Sequence, residues 1–190
     1  MMITQIIPFH PIEVSSLLSS AFAQKLSPAG DPVFSASFYA PYEAAAIAAL
    51  ELLSDARAGM PLDVLAIQYR LKTGASIRGK LQRKQLPQTA AFAGAALRDV
   101  AGLRAILSTR EAVYRYAELI LSRGGFELED VHDYIAVPKP SGYRSLHLIG
   151  RIPVCLPEGS YAVPIEIQLR TAAMDAWACA EHRLIYKPRM

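Results

Sequence analysis

One stretch constrains this chain more than any other: Tyr161 to Thr171, near its C-terminal end. Tyr161, Val163, Ile165, Ile167 and Leu169 share one side of an extended chain, and Glu166, Gln168 and Arg170 share the other. The apolar side is what a sheet needs to sit on a core. The polar side holds an acid, an amide and a cation in one row. Taken alone, the stretch is accounted for by a half-exposed strand whose polar side meets water. The rest of the chain supplies cations, a second carboxylate and an aromatic, hydroxylated loop able to converge on this face.

With 190 residues the chain is long enough for one domain with a sizeable core, or one domain with an appendage. A hydrophobic content of 52% excludes a disordered protein. The net charge of +3 hides a local asymmetry described below. Cys155 and Cys179 form no CxxC pair and read as ordinary thiols of a reducing compartment. No uncharged run reaches the length of a membrane span. Met1 to Gln24 lacks the basic start of a secretory signal, its first cation being Lys25. The expected location is cytoplasmic, without a membrane partner.

Residues 1–41 are rich in Ser, Ala and Pro with little period, and read as a variable N-terminal appendage. A short helix is expected over 14–25, stopped by Pro28, Gly30 and Pro32. Residues 42–190 form the functional domain. Its first helix is expected from Tyr42 to Ala58, on the spacing of Ala45, Ile47, Leu50, Leu53 and Ala56, with Gly59 ending it. Pro61 opens a further element that runs toward Tyr69.

Arg70, Lys72, Arg78, Lys80, Arg83 and Lys84 then place six cations in fifteen residues, and no acid occurs between Asp63 and Asp99. Such a run suggests an anionic ligand. Ser76 is expected to start a helix whose N-terminus adds partial positive charge. Ser76, Lys80 and Arg83 or Lys84 then fall on one face; a solvated basic helix face is the plain alternative. Gly74-Ala75-Ser76-Ile77-Arg78-Gly79-Lys80 imitates a phosphate loop, but Leu81 stands where Ser or Thr must hold magnesium. No buried strand is expected to lead into Gly74 either, so a phosphate loop is rejected.

After a loop and a short helix over the Ala-rich residues 85–96, a buried strand is expected from Gly102 to Leu107. Asp99 lies just ahead of it and Arg104 within it. An Asp at a strand edge is usually a turn residue; this one is the first carboxylate after a long basic stretch. Ser108 and Glu111 form an expected capping box for a helix striped by Val113, Tyr116, Ala117 and Ile120 and ended by Gly124-Gly125. This strand–helix unit implies a sheet with helices packed on it. Val131 to Val137 is the next expected strand. Its His132-Asp133 resembles a phosphohydrolase metal dyad, but His10, His147 and His182 lack ligand-like spacing, so a metal hydrolase is rejected.

Pro138 to Ser145 is a tight loop presenting Lys139, Tyr143 and Arg144 between two strands. Tyr143 suits stacking on a flat ring, and Lys139 and Arg144 suit phosphates; a hairpin with an aromatic lid is the plain alternative. In the following strand Leu146, Leu148, Gly150 and Ile152 face one side, Ser145 and His147 the other. Thr171 caps a last helix, Ala172 to Tyr186, whose stripe of Met174, Trp177, Ala178, Glu181 and Ile185 is expected to be mostly core. Glu181 on that stripe needs a partner, with His182 and Lys187 close at hand.

Taken together, these segments resemble the synthetase domain of RelA/SpoT-type alarmone synthetases (GTP pyrophosphokinases), most closely the small, single-domain kind. The matching stretches run in order from Tyr69-Arg70-Leu71-Lys72, Ala75-Ser76-Ile77 and Lys80-Leu81, through Arg98 to Arg104, to Asp133-Tyr134-Ile135 with Pro138-Lys139. They continue with Ser141 to His147, Glu166 to Thr171, Met174-Asp175, Trp177, Glu181-His182 and Tyr186-Lys187. The resemblance implies an α+β, nucleotidyltransferase-like fold with a mixed sheet of about five strands flanked by helices. It also implies a reaction: ATP with Mg2+ donates its β,γ-pyrophosphate to the 3′-hydroxyl of GDP or GTP, leaving AMP and ppGpp or pppGpp.

By the same resemblance, Arg70 and Arg104 sandwich the donor adenine, while Lys72, Ser76, Lys80 and Arg83 hold its phosphates. Asp99 binds the metal, and Glu166 contacts it or takes the proton from the 3′-hydroxyl. Tyr143 stacks on the acceptor base, Lys139, Arg144 and His147 hold its phosphates, and Gln168 aligns it. Small synthetases usually continue into C-terminal helices that build a tetramer, whereas this chain ends at Met190, so a homo-oligomer stays an open alternative. No hydrolase domain is expected, and no RNA is required. Two rivals remain at this stage: the same chemistry on an adenine nucleotide or a tRNA 3′ end, as in toxic relatives, and a non-enzymatic RNA-binding module. The second leaves Asp99 and Glu166 without a purpose.

Overall fold

The computed structural model describes the backbone of residues 5–6 and 33–186 and the side chains of residues 33–181. The elements run β1 (Gln5–Ile6), α1 (Ala36–Ala58), β2 (Val64–Leu71), α2 (Gly74–Arg83), α3 (Ala90–Ala96), β3 (Ala101–Leu107), α4 (Arg110–Ser122), β4 (Glu127–Asp133), β5 (Leu146–Leu156), β6 (Gly159–Thr171) and α5 (Ala172–Tyr186). They form a mixed α+β sheet ordered β1-β2-β3-β6-β5-β4. Five strands carry it; β1 adds two residues at the edge.

β6 is the hub, parallel to β3 and antiparallel to β5. Ile165, Ile167 and Leu169 are fully buried. So are Leu53 of α1 and Val113, Tyr116 and Ile120 of α4. The two helices pack together against the sheet, and the Tyr116 hydroxyl donates to the Leu53 carbonyl at 2.5 Å. Each buried Leu or Ile contributes roughly 1.5–3 kcal/mol, so a one-residue slip of β6 would forfeit the whole row. That fixes the opposite face of the sheet. Strand pairing sets Arg70 opposite Gly102 and Gly102 opposite Glu166, then Arg104 opposite Gln168 and Gln168 opposite His147.

Several local expectations are corrected. α1 begins at Ala36, six residues before the expected Tyr42, and runs across the 41/42 boundary through Pro41. Aromatic packing outweighs the proline: Phe38 lies edge-on to Phe34 and Tyr39 at 5.1 Å each, and the Tyr39 hydroxyl donates to the Lys72 carbonyl at 2.8 Å. Thr73, not Ser76, caps α2, accepting the Ser76 N–H at 3.3 Å. Thr109, not Ser108, caps α4, while the Ser108 hydroxyl donates to Asp63. A strand, β2, does lead toward Gly74. The phosphate-loop reading still fails, because Gly74 to Lys80 is helical throughout, leaving no glycine-rich loop to wrap an anion, and Leu81 is buried where Ser or Thr would hold magnesium.

The strand expected over 131–137 lies instead at Glu127–Asp133. The Asp133 carboxylate accepts the Ile135 and Ala136 N–H groups at 2.9 and 3.0 Å, which turns the chain out of the ladder. On α5, Met174 is buried but Trp177 is 54% exposed, so the expected core stripe is only partly core. The helix expected over 14–25 and the side chains of His182, Ile185 and Lys187 lie outside the described residues.

Candidate active site

The polar face of β6 is closed by hydrogen bonds into a ring of five side chains. His147 Nδ1 meets Glu166 Oε1 at 3.0 Å, and Gln168 Nε2 donates to Glu166 Oε2 at 2.8 Å. Gln168 Oε1 accepts Arg170 Nη2 at 3.0 Å. The same Arg170 nitrogen donates to the Tyr143 hydroxyl, which meets His147 Nε2 at 2.8 Å. One assignment satisfies every partner: Tyr143 O–H donates to Nε2, and Nδ1–H donates to Glu166. Both arms therefore run from the Arg170 cation to the Glu166 anion.

Burial pushes the Glu166 carboxyl up, but the His147 hydrogen bond and charge, the Gln168 amide and Arg70 outweigh it and bring it down to about 2. Burial disfavours the His147 cation more than Glu166 favours it, so that imidazole titrates below its ordinary value. At neutral pH the ring acts on Glu166 as a neutral donor.

A second cluster stands just before β3. The Lys72 N–H donates to the Val100 carbonyl at 2.8 Å, extending the β2–β3 contact and bringing Lys72 to Asp99. Asp99 Oδ2 accepts the ammonium of Lys72, and that of Lys80 at 2.6 Å. Burial raises the Asp99 carboxyl, and the two lysines more than reverse this, leaving it lowered. Burial pulls the Lys72 ammonium down more than Asp99 lifts it. Two ammonium groups on one carboxylate leave a positive excess suited to phosphates. Asp99 Oδ1 is buried and has no hydrogen-bond partner among the described residues. An orphaned carboxylate oxygen beside a phosphate-seeking pair fits magnesium, which is commonly held by one or two carboxylates and substrate phosphates. Among the described residues no group of three or more His, Cys, Asp or Glu is placed to hold a metal alone.

Beside the ring opens a shallow cleft lined by Arg70, Gly102, Arg104, Glu166 and Gln168 among others. A Cβ on Gly102 would stand 3.3 Å from the Glu166 carbonyl, so glycine keeps the floor low. Arg104 donates to Gln168 Oε1 at 3.2 Å and pairs with Asp175 at 3.1 Å. Beyond the ring, Lys139 Nζ lies 4.3 Å from the Tyr134 ring centre and 4.9 Å from that of Tyr143. Gly142 takes a positive φ of 83°, and a Cβ there would stand 3.3 Å from Trp177. The loop carrying Tyr143 is thus fixed by glycine and backed by the single tryptophan of the chain.

Residues 69–190 match the family described as "Region found in RelA / SpoT proteins". The chain belongs to the RelA/SpoT family. The GTP pyrophosphokinase YwaC of Bacillus subtilis (strain 168) is 42% identical over 118 residues, 62% of this chain and 56% of that protein. YjbM of the same organism, also a GTP pyrophosphokinase, is 40% identical over 62% of this chain and 54% of its own length. The chain thus spans about half the length of these curated relatives. Among solved structures, the small alarmone synthetase 1 of Bacillus subtilis bound to its product pppGpp superposes with a TM-score of 0.72, at 34% identity over 79% of this chain and 80% of that one. A GTP pyrophosphokinase family protein of Streptococcus pneumoniae gives a TM-score of 0.73, at 30% identity over 79% and 75%.

Set on this RelA/SpoT fold, most of the expected site residues converge. Arg70, Arg104, Glu166 and Gln168 line one cleft; Tyr143 and His147 complete the ring; Lys72, Lys80 and Asp99 form the second cluster. Ser76 lies one helical turn before Lys80 in α2, its hydroxyl 3.0 Å from that of Thr73. Two residues do not join these contacts. Arg83 is exposed, with its guanidinium against Gly79, and Arg144 donates to the Ile135 carbonyl at 3.0 Å. Arg170, Asp175 and Tyr134 were not among the expected site residues. Arg170 shares the parity of Glu166 and Gln168, a signal that was present in the sequence. Asp175 joins the site only because α5 folds back from the end of β6.

Proposed function

We propose that this chain transfers the β,γ-pyrophosphate of ATP to the 3′-hydroxyl of GDP or GTP, giving AMP and ppGpp or pppGpp. The observation that carries the reading is the pairing of two unlike clusters at the start of β3. A cation-rich Lys72–Asp99–Lys80 group precedes the strand, and an anionic Glu166 faces its Gly102. Pyrophosphoryl transfer requires a place for donor phosphates beside a carboxylate for the acceptor hydroxyl. The relatives' names and the product-bound neighbour support the same choice.

In this reading Arg70 and Arg104 take the donor base, and Lys72, Ser76 and Lys80 its phosphates, with Arg83 reaching them from the end of α2. Tyr143 stacks on the acceptor base, Lys139 and His147 face its phosphates, and Arg144 fixes the loop that presents them. Magnesium held by Asp99, with Glu166 as a second carboxylate, would neutralise phosphate charge during transfer. Glu166, brought down to about 2, is a weak base. It orients the hydroxyl by accepting its hydrogen bond and takes the proton late, as suits a loose transition state. Both nucleotides are cytoplasmic, and so is the site of action in this reading.

The test is an acceptor panel with magnesium and ATP, using GDP, GTP, GMP, ADP or deacylated tRNA, with products resolved by ion exchange. AMP release matched by a pyrophosphorylated guanine nucleotide is expected. AMP release with only ADP or tRNA moves the chain to a different acceptor.

A further inference from the structure

Asp175 stands in the first turn of α5, where a carboxylate is favoured by the helix amides. Its Oδ1 accepts a hydrogen bond from Arg170 Nη1 and forms an ion pair with Arg104 Nη1, each at 3.1 Å. The Arg170 side chain is only 4% exposed. Its other partners, Ser145, Gln168 and Tyr143, are all neutral. A guanidinium buried this deeply needs a counter-charge, and Asp175 is the anion it touches among the described residues. Both guanidiniums also converge on Gln168 Oε1. Without an anion between them, two like charges would compete for one amide oxygen. α5 makes a second connection to the same place, through Trp177 against Gly142.

We propose that Asp175 is a positioning residue for the transfer site, acting through Arg170 on Tyr143, His147 and Glu166, and through Arg104 on the donor side. The chain of action is specific. Asp175 holds the Arg170 fork, the fork holds the Tyr143 hydroxyl, the hydroxyl fixes the His147 tautomer, and Nδ1–H aims Glu166. The kinetic consequence rests on the proposed transfer reaction; the tautomer consequence does not. A carboxylate that merely docks α5 would leave the tautomer alone.

The experiment uses the full chain and two readouts. The first is AMP release from ATP and GDP by wild type, Asp175→Asn, Tyr143→Phe and the double variant. The second is ¹⁵N NMR of the His147 imidazole, assigned by the signal lost in His147→Gln. Wild type is expected to show one tautomer, protonated at Nδ1, and Asp175→Asn a mixture. Turnover should fall about a hundredfold in Asp175→Asn, the scale of a small misplacement of reacting groups. Adding Tyr143→Phe should cost less than about threefold more, since the released hydroxyl is already without effect. An unchanged tautomer, or losses that multiply, would overturn the proposal. If wild type releases no AMP with any acceptor, the reaction fails as a reading and the tautomer alone decides the role of Asp175. If Asp175→Asn does not fold, Asp175→Glu keeps the charge and shifts the fork. A loss of about tenfold, again not multiplying with Tyr143→Phe, is then expected, and multiplying losses overturn it.

Discussion

Glu166 receives two hydrogen bonds that point the same way, and each makes a separate claim on function. Glu166→Gln keeps the shape but sets an amide against donors on both sides. Turnover is expected to fall about 10²- to 10⁴-fold, read as AMP released from saturating ATP and GDP. Tyr143 divides into a ring and a hydroxyl. Tyr143→Ala should raise the acceptor KM about 5- to 150-fold, the worth of one base stack, whereas Tyr143→Phe should leave KM nearly unchanged and lower kcat. Equal effects from the two variants would refute that division. His147 supplies a pH signature. Its lowered value means the neutral ring persists below the ordinary 6.5, so the acid limb of kcat/KM should lie below about pH 6.5. Once Nε2 is protonated it can no longer accept the Tyr143 proton. Legibility in the sequence follows the kind of constraint. Period two alone sets Glu166, Gln168 and Arg170 in one row. That Arg170 would reach Tyr143, 27 positions away, depends on a loop geometry no local pattern encodes.

At the scale of elements, strands with a buried face were legible and their ends were not. β3, β5 and β6 came from runs whose apolar members had to meet a core. β4 was misplaced because the exposed residues of its Glu127–Asp133 run carry no alternation, and because Asp133 spends its carboxylate on two backbone amides. Caps failed by neighbours of the same chemistry: Thr73 for Ser76, Thr109 for Ser108. A hydroxyl three residues before an amide is the requirement, and either candidate satisfies it until the strand end is known. Thr73 matters beyond stability, because α2 carries Lys80 to Asp99. Thr73→Ala should destabilise the chain by about 1 kcal/mol, seen as a lower urea midpoint. It should also raise the KM for ATP more than that for GDP. An equal rise for both nucleotides would show that the cap serves the fold without biasing the donor side.

The whole molecule is a sheet with unlike faces. α1 and α4 bury one, and the other gathers cations around a few carboxylates. Such a face should make the fold sensitive to acid. Glu166 is held at about 2 against an ordinary 4.5, so its contribution is fully present above about 4.5 and is lost as pH falls toward 2. Asp99, also lowered, acts in the same direction. The lowered His147 adds to it earlier, because the unfolded imidazole takes its proton first as pH falls below about 6.5. Stability to urea should therefore decline from about pH 6.5 downward. The part between about 4.5 and 2 that belongs to Glu166 is on the order of 3 kcal/mol. Glu166→Gln removes the titrating group, so its unfolding free energy should lie below wild type at pH 7 and converge toward it near pH 2. Parallel curves would mean that the Glu166 carboxyl titrates alike in the folded and unfolded chain. A wild type that loses ground to Glu166→Gln as pH rises above about 4.5 would mean instead that the carboxyl stays neutral in the folded chain, and Glu166 would then enter the reaction as an acid rather than as an anion.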